Sequence, residues 1–548
     1  MSKTKNTITL LLVWALPALL LLLTRIILGC YYESNDDVAI SQVIRGETAL
    51  APVTNMHLYF HGLSYLLARL YHLLPSFPWY GVLLYLLLYG SLVLVYQTLV
   101  DLLASYLSLL GLTTCLIAIY WFAWQETALL MNYTRLPLLL AGTGILYAAS
   151  RRDSRWSLLL ALLVVAIGWA IRPSAAILGL VVALPGAWWL AGFQAAVPIT
   201  SAVALMAIAT GIMSANYSAI EKSYRQVDIQ LVSYSDYQLY QPRPLSVADS
   251  LGLLSVDNWA LGDSTLVNER LFKHSLQFDQ AVFLHHTLPR KARASYYMLR
   301  EYYQWLILFP VLLGVWLLLQ NPWREHGEFW AAQVAFTALL LFLIAFLKLP
   351  QRLASPLFSI WTVNSLLYVM QRSPGLLRFS RAWQWILCLA FLLTSVKVWR
   401  QSRMYHQRQT QNEAYMSQVY AVAKHHILVA GGVEWAYIYL SPFKTYELSD
   451  SPVVTLMGWL ALEPSLPPLR KHLTGTRDFE ESLNRLATNP SAIWIMQDAF
   501  ALYLRVYAQR HRLSSTSKLY PVYQRSLSPN REFASLYRVQ LRTRRATR

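Results

Sequence analysis

Two adjacent carboxylates carry the clearest chemistry in this chain. Asp36 and Asp37 end the run Glu33-Ser34-Asn35-Asp36-Asp37, which starts a few residues after a long apolar stretch. A carboxylate so placed can take the proton of an attacking hydroxyl. Its neighbour can orient the acceptor or hold a divalent cation such as Mg or Mn. Mutual repulsion and partial burial raise one pKa of such a pair toward neutrality, which suits a base. The same residues also suit a helix start, because Ser34 or Asn35 can cap it and Ser34-x-x-Asp37 approximates a capping box. Capping and catalysis are compatible.

The elements that must hold the pair follow from the spacing around it. Ala39, Ile40, Val43 and Ile44 recur with helical period, Gln42 and Arg45 are polar, and Gly46 ends the segment. A second amphipathic helix is expected over about 55–74, with His57, His61, Ser64 and His72 along one face. Both helices would lie on a membrane surface. His57 and His61 are four apart, but no nearby cysteine or HExxH pattern completes a metal site, so they stand as substrate-binding candidates.

A membrane must solvate most of the remainder. The 548 residues are 56% hydrophobic and only 14% charged, unlike a soluble domain. Uncharged stretches of roughly 17 to 22 residues match the ~30 Å hydrocarbon core. About eleven spans are expected, near 8–30, 79–100, 102–123, 127–149, 156–171, 174–192, 195–214, 303–320, 329–347, 353–370 and 382–399. The first follows Lys3 and Lys5, is too long for a signal peptide and reads as a signal anchor. A cytoplasmic basic start then places Arg151-Arg152-Asp153-Ser154-Arg155 inside, together with the loop bearing Arg372, Arg378 and Arg381. Residues 31–78, 215–302 and 400–548 fall outside. The formal charge of +18 is scattered and lacks basic runs with interleaved aromatics, which favours anionic lipids or phosphates over nucleic acid. Cys30, Cys115 and Cys388 lie in or beside apolar spans and read as small packing residues.

The fold class expected is therefore an all-α polytopic membrane domain over 1–399, followed by an extracytoplasmic α/β domain over 400–548. In the latter, a helix near 412–425 precedes a strand over 427–430 that ends in Gly431-Gly432. A second strand is expected over 491–496 and a helix over 498–510. No repeat links the two halves, which weighs against an inverted-repeat transporter.

Four basic residues at the outer ends of spans could meet a lipid phosphate. Arg135, about eight residues into its span, would lie roughly 12 Å inward and needs a partner; Glu126 is on the same segment. Arg172-Pro173 breaks the chain between two spans and leaves backbone groups nearby without obvious partners. Lys348 and Arg352 flank a short connection, Leu349-Pro350-Gln351, that keeps both at the membrane surface. Snorkelling to native lipid is the alternative for each. In the middle polar segment, Asp263 of Gly262-Asp263 either approaches the acceptor or makes an ordinary turn.

This plan resembles the polytopic glycosyltransferases of the GT-C fold, in which a long first outer loop carries an acidic motif and two interfacial helices. The resemblance implies a polyprenyl-phosphate-linked sugar donor and a glycan, lipid or protein acceptor. It implies transfer on the outer face of a bacterial-type inner membrane, with Asp36 or Asp37 as the base. A transporter or lipid flippase, or a non-catalytic membrane scaffold with an outer binding domain, are the rival readings.

Overall fold

The computed structural model describes residues 10–243, 246–320, 323–372, 381–447, 451–510, 517–527 and 533–543. Lys3, Lys5 and Arg378, which entered the sidedness argument, lie outside these residues. The chain is mostly helical and ends in a small sheet. Its opening elements are α1 (Leu11–Leu28), β1 (Tyr31–Tyr32), α2 (Asp36–Arg45), α3 (Leu63–Leu73), α4 (Trp79–Leu103), α5 (Leu109–Ile119) and β2 (Leu130–Met131). Then come α6 (Arg135–Ser150), α7 (Arg155–Ile171), α8 (Pro173–Ala191), α9 (Ala196–Ala215) and α10 (Ala219–Ser235). After several short pieces follow α11 (Gln304–Gln320), α12 (Gly327–Phe346), α13 (Gln351–Arg372) and α14 (Arg381–Ala423).

Eleven spans are not confirmed. Among the described residues five helical runs are long and apolar enough to cross a membrane, or six if the pair Gln280–Tyr302 and Gln304–Leu319, bent by 83°, counts as one span. The difference has local causes. The expected span over 102–123 is interrupted where α4 ends and α5 begins, and the one over 127–149 is broken at β2. Helices α6 and α7 are apolar but short, and α8 and α9 form one apolar run of 43 residues, Pro173–Ala215. The stretch expected over 382–399 does not stop at a domain boundary, because α14 continues unbroken to Ala423.

The core of the bundle is α6 with α8 and α13. Every residue of α6 from Arg135 to Ala149 is buried, and α13 is enclosed over 89% of its apolar window. Without a hydrophobic drive between helices in lipid, close approach depends on small residues. At Gly179 of α8 a Cβ would stand 2.3 Å from the Leu138 carbonyl oxygen and 2.8 Å from its Cα, so the backbones of α6 and α8 meet there.

The C-terminal sheet adds β3 (Ile427–Gly431), β4 (Val453–Thr455), β5 (Ala492–Met496), α15 (Asp498–Arg510), β6 (Ser517–Arg525) and β7 (Ser535–Thr543). The strand order is β4-β3-β5-β7-β6, with β4, β3 and β5 parallel and β7 and β6 antiparallel additions. Both strands expected from sequence, and the helix after the second, are present. The sheet is not tethered by α14 alone. The Tyr32 N–H donates to the Leu440 carbonyl at 2.9 Å and the Tyr439 N–H to the Tyr32 carbonyl at 2.9 Å. Pro442 lies so close to α4 that a Cβ at Gly81 would stand 1.8 Å from its carbonyl oxygen.

Gly179→Val should therefore lower the melting temperature of the detergent-solubilised protein, by an overpacking cost of about 1–3 kcal/mol. Gly211→Val, where a Cβ meets nothing within 4 Å, should leave it unchanged. Equal behaviour of the two would contradict the packing described.

Candidate active site

A two-residue pairing builds the centre. β1 runs parallel to β2, with Tyr31 beside Leu130 and Tyr32 beside Met131, and the Glu33 N–H donates to the Met131 carbonyl at 2.9 Å. This lays residues 33–37 against Asn132-Tyr133-Thr134. The Asn132 side-chain Oδ1 accepts from the Thr134 N–H at 2.9 Å and hydroxyl at 2.5 Å, which fixes the amide orientation. Its NH2 then donates to the Ser34 hydroxyl at 2.8 Å and to Asp37 Oδ2 at 3.0 Å.

Asp37 is wholly buried. Oδ1 accepts from the Tyr80 hydroxyl and the Tyr133 N–H, each at 3.0 Å, and Oδ2 also accepts from Ser34 at 3.4 Å. Burial pushes the carboxyl well above the ordinary range, and Asp36 adds to the shift, against the hydrogen bonds from Tyr80 and Tyr133. With both oxygens facing N–H and O–H donors, Asp37 does not fit a divalent cation, which needs open oxygen ligands. Among the described residues no group of three or more His, Cys, Asp and Glu side chains is placed to hold a metal. The capping expectation also changes. Asn35 stands at the N-cap without a side-chain bond, while the Ser34 hydroxyl faces both carboxylates at 3.4 Å.

Asp36 differs from its neighbour because it is partly open. Oδ1 accepts from the Trp459 indole N–H at 3.1 Å, and Oδ2 lies 3.6 Å from an Arg352 nitrogen. Arg352 sits in the first turn of α13. Arg172 is brought to the same place by a backbone requirement. Pro173 starts α8 directly after α7, and the carbonyls of Ala170 and Ile171 take the His61 N–H at 2.7 Å and the Phe60 N–H at 3.1 Å. The groups expected to lack partners are thus satisfied, and Tyr59 is delivered beside Arg172. The guanidinium lies over the Tyr59 ring at 5.3 Å and the Tyr133 ring at 5.8 Å. Among the described residues it makes no hydrogen bond or ion pair.

The other sequence candidates have different places. Arg135, fully buried, is held by Glu33 at 2.8 Å and Glu126 at 3.0 Å. The break at β2 turns the chain back on itself and permits the Glu126 pairing despite the nine-residue separation. His57 and His61 precede α3 instead of sharing a helix with Ser64, since Phe60 and Gly62 have φ of 55° and 77°. His57 Nδ1 is 2.9 Å from Glu221 on α10, while burial pushes His61 down to about 4. Lys348 is exposed and pairs with Asp236 at 2.7 Å, so it does not join Arg352. Asp263 is buried, accepting from the Thr265 N–H and hydroxyl and from the Tyr507 hydroxyl at 2.8 Å. Its turn ties the middle polar segment to α15.

Sequence reasoning missed Asn132, Tyr133, Tyr59, Trp459 and the face of α10. Only Asn132-x-Thr134 directly before Arg135 offered a local signal. The neighbouring concavities lie elsewhere, one of about 320 Å3 beside Asp498, Arg505 and Tyr523 and one of about 150 Å3 beside Arg152 and Gln194. No family model matches this chain, and no curated protein matches it.

Asp37→Ala leaves the Tyr80 hydroxyl, the Tyr133 N–H and one Asn132 N–H without their acceptor. Each orphaned buried group costs about 1–3 kcal/mol, so thermal unfolding should show a large loss of stability. Asp36→Ala should cost far less. Similar losses in both would contradict the division between a buried organiser and an accessible acid.

Proposed function

We propose that this protein is a membrane glycosyltransferase that moves a sugar from a polyprenyl-phosphate carrier to an acceptor hydroxyl, at the outer membrane surface. The observation that carries the reading is Arg172. A guanidinium lying over two tyrosine rings that touch each other edge-on, with no hydrogen-bond or ion-pair acceptor among the described residues, is a ready site for a phosphate oxygen pair. Arg352 lies within electrostatic reach of it, and Pro173, directly after Arg172, starts α8 with the positive end of its helix dipole.

In this reading the donor phosphate bridges Arg172 and Arg352. Arg352 holds Asp36 only loosely, at 3.6 Å, so a phosphate that draws it away leaves the Asp36 carboxylate free to accept a proton. Asp36 is the base because it is the accessible member of the pair; Asp37 fixes the turn that aims it. The acceptor hydroxyl gives its proton to Asp36 as its oxygen attacks the anomeric carbon, and the phosphate departs with the bonding electrons. The Trp459 indole must first release Asp36, which assigns the C-terminal domain a gating contact over the reacting carbon. Arg135 keeps the acidic segment in place through Glu33 and takes no part in phosphate binding.

Purified protein should release free polyprenyl phosphate from labelled lipid-linked sugars only when an acceptor is present, and Asp36→Asn should abolish that release. Arg172→Ala should weaken binding of polyprenyl phosphate about tenfold or more, from the roughly 1.5–3 kcal/mol of a charged hydrogen bond. Arg172→Lys should rescue poorly, since an ammonium lacks the planar fork. Substrate movement across the bilayer without bond cleavage would overturn the reading in favour of transport.

A further inference from the structure

The middle polar segment places a second acid at this site, and its surroundings suit a task that Asp36 cannot perform. On α10, Glu221, Tyr224, Arg225 and Asp228 follow the i, i+3, i+4, i+7 spacing of one helix face. The first turns of that face are docked on the segment leading to Tyr59. Glu221 lies 2.9 Å from His57 Nδ1, and Arg225 donates to the His57 carbonyl at 2.5 Å. Tyr224 is buried between them. Asp228, one turn further along, continues the face to Tyr59 and Arg172, and the charges it faces are Arg172 and Arg225, with Asp236 beyond.

Asp228 is half-buried, yet among the described residues it makes no hydrogen bond or ion pair. Its carboxyl thus sits beside the site, tied to no other group and open to a ligand that reaches Arg172. We infer that Asp228 is the proton donor to the departing phosphate, the acid that complements Asp36 as base. The inference rests on the transferase reading above.

The step balances. The acceptor oxygen bonds to the anomeric carbon and loses its proton to Asp36. The carbon–oxygen bond to phosphate breaks, its electron pair stays on the phosphate, and the Asp228 carboxyl gives its proton to that oxygen. Polyprenyl phosphate leaves as the protonated monoester and Asp228 remains as carboxylate. Exchange with water then resets both acids. Burial pushes the Asp228 carboxyl up to about 6 against the pull of Arg172 and Arg225. A pKa near the working pH keeps a useful fraction of the acid protonated, which is what general acid catalysis requires.

The sign of the pH effect follows. The acid must be protonated, so in the free enzyme its contribution to kcat/KM is full below about 6 and falls as pH rises through that value. The test measures release of polyprenyl phosphate by the full chain in nanodiscs, from radiolabelled lipid-linked sugars extracted from bacterial membranes, across pH 5 to 9. Asp228→Asn should lower kcat about a hundredfold or more with KM little changed, and should remove the alkaline limb of the profile. Asp228→Glu should restore part of both. Rates for Asp228→Asn within threefold of wild type and an unchanged profile, alongside an inactive Asp36→Asn, would overturn this inference and leave the transferase reading standing. No release by the wild-type protein would overturn both.

Discussion

The arrangement depends on burying one carboxylate. Asp37 lies out of water at the start of α2, and its two oxygens are matched by donors from three separate stretches of chain: Ser34 beside it, Tyr80 at the start of α4, and Asn132-Tyr133 before α6. An uncompensated carboxyl there would cost several kcal/mol, so these stretches must meet where they do. The short β1–β2 pairing is the backbone counterpart of the same constraint. Once Asp37 is fixed, Asp36 can point only outward, toward Arg352 and Trp459. Position, rather than residue type, separates the two acids.

A second consequence concerns the C-terminal sheet. Ligands of open parallel sheets gather outside the carboxyl ends of the strands, and here the segments that follow β3 and β4 meet the helical part. The chain after β3 reaches Tyr439 and Leu440, which pair with Tyr32, and the chain after β4 reaches Trp459, which donates to Asp36. The domain is a wall of the candidate site. It is held by the backbone seam at Tyr32 and, at Asp36, by Trp459, whose indole also meets the Tyr59 ring at 5.9 Å and packs with Ala39, Val43 and Leu460.

Local pattern carried part of this in the sequence. The amphipathic period of residues 36–45 and the Gly46 stop produced a helix that is present with those bounds. The short apolar run over 427–430 and the stretch 491–496 produced two strands, present at 427–431 and 492–496. Arg172 and Arg352 were legible because an arginine at the end of an apolar stretch needs a reason to be there. What local pattern could not carry was meeting. Trp459 lies 423 residues from Asp36, and the Glu221–His57 pair joins α10 to a segment that looked helical but turns at Phe60 and Gly62. The expected count of eleven spans is not confirmed for a related reason. Hydropathy reports which residues avoid water, but lipid and the interior of a helical bundle satisfy that demand equally, so a short buried helix such as α6 reads as apolar in either setting.

The electrostatic pattern that results is asymmetric. Arg135 is neutralised twice, by Glu33 and Glu126, and Lys348 once, by Asp236. Among the described residues Arg172 makes no hydrogen bond or ion pair and lies over two tyrosine rings, and Arg352 has one loosely held acid. A lipid phosphate is the group that would complete this set. The most direct test is an electron cryo-microscopy map of the protein in nanodiscs containing polyprenyl phosphate. The account expects density for a phosphate within hydrogen-bonding reach of both the Arg172 and Arg352 guanidinium groups, with the Asp36 carboxylate beside it. A phosphate bound at Lys348 or Arg135 instead, with Arg172 still enclosed by Tyr59 and Tyr133 alone, would contradict it.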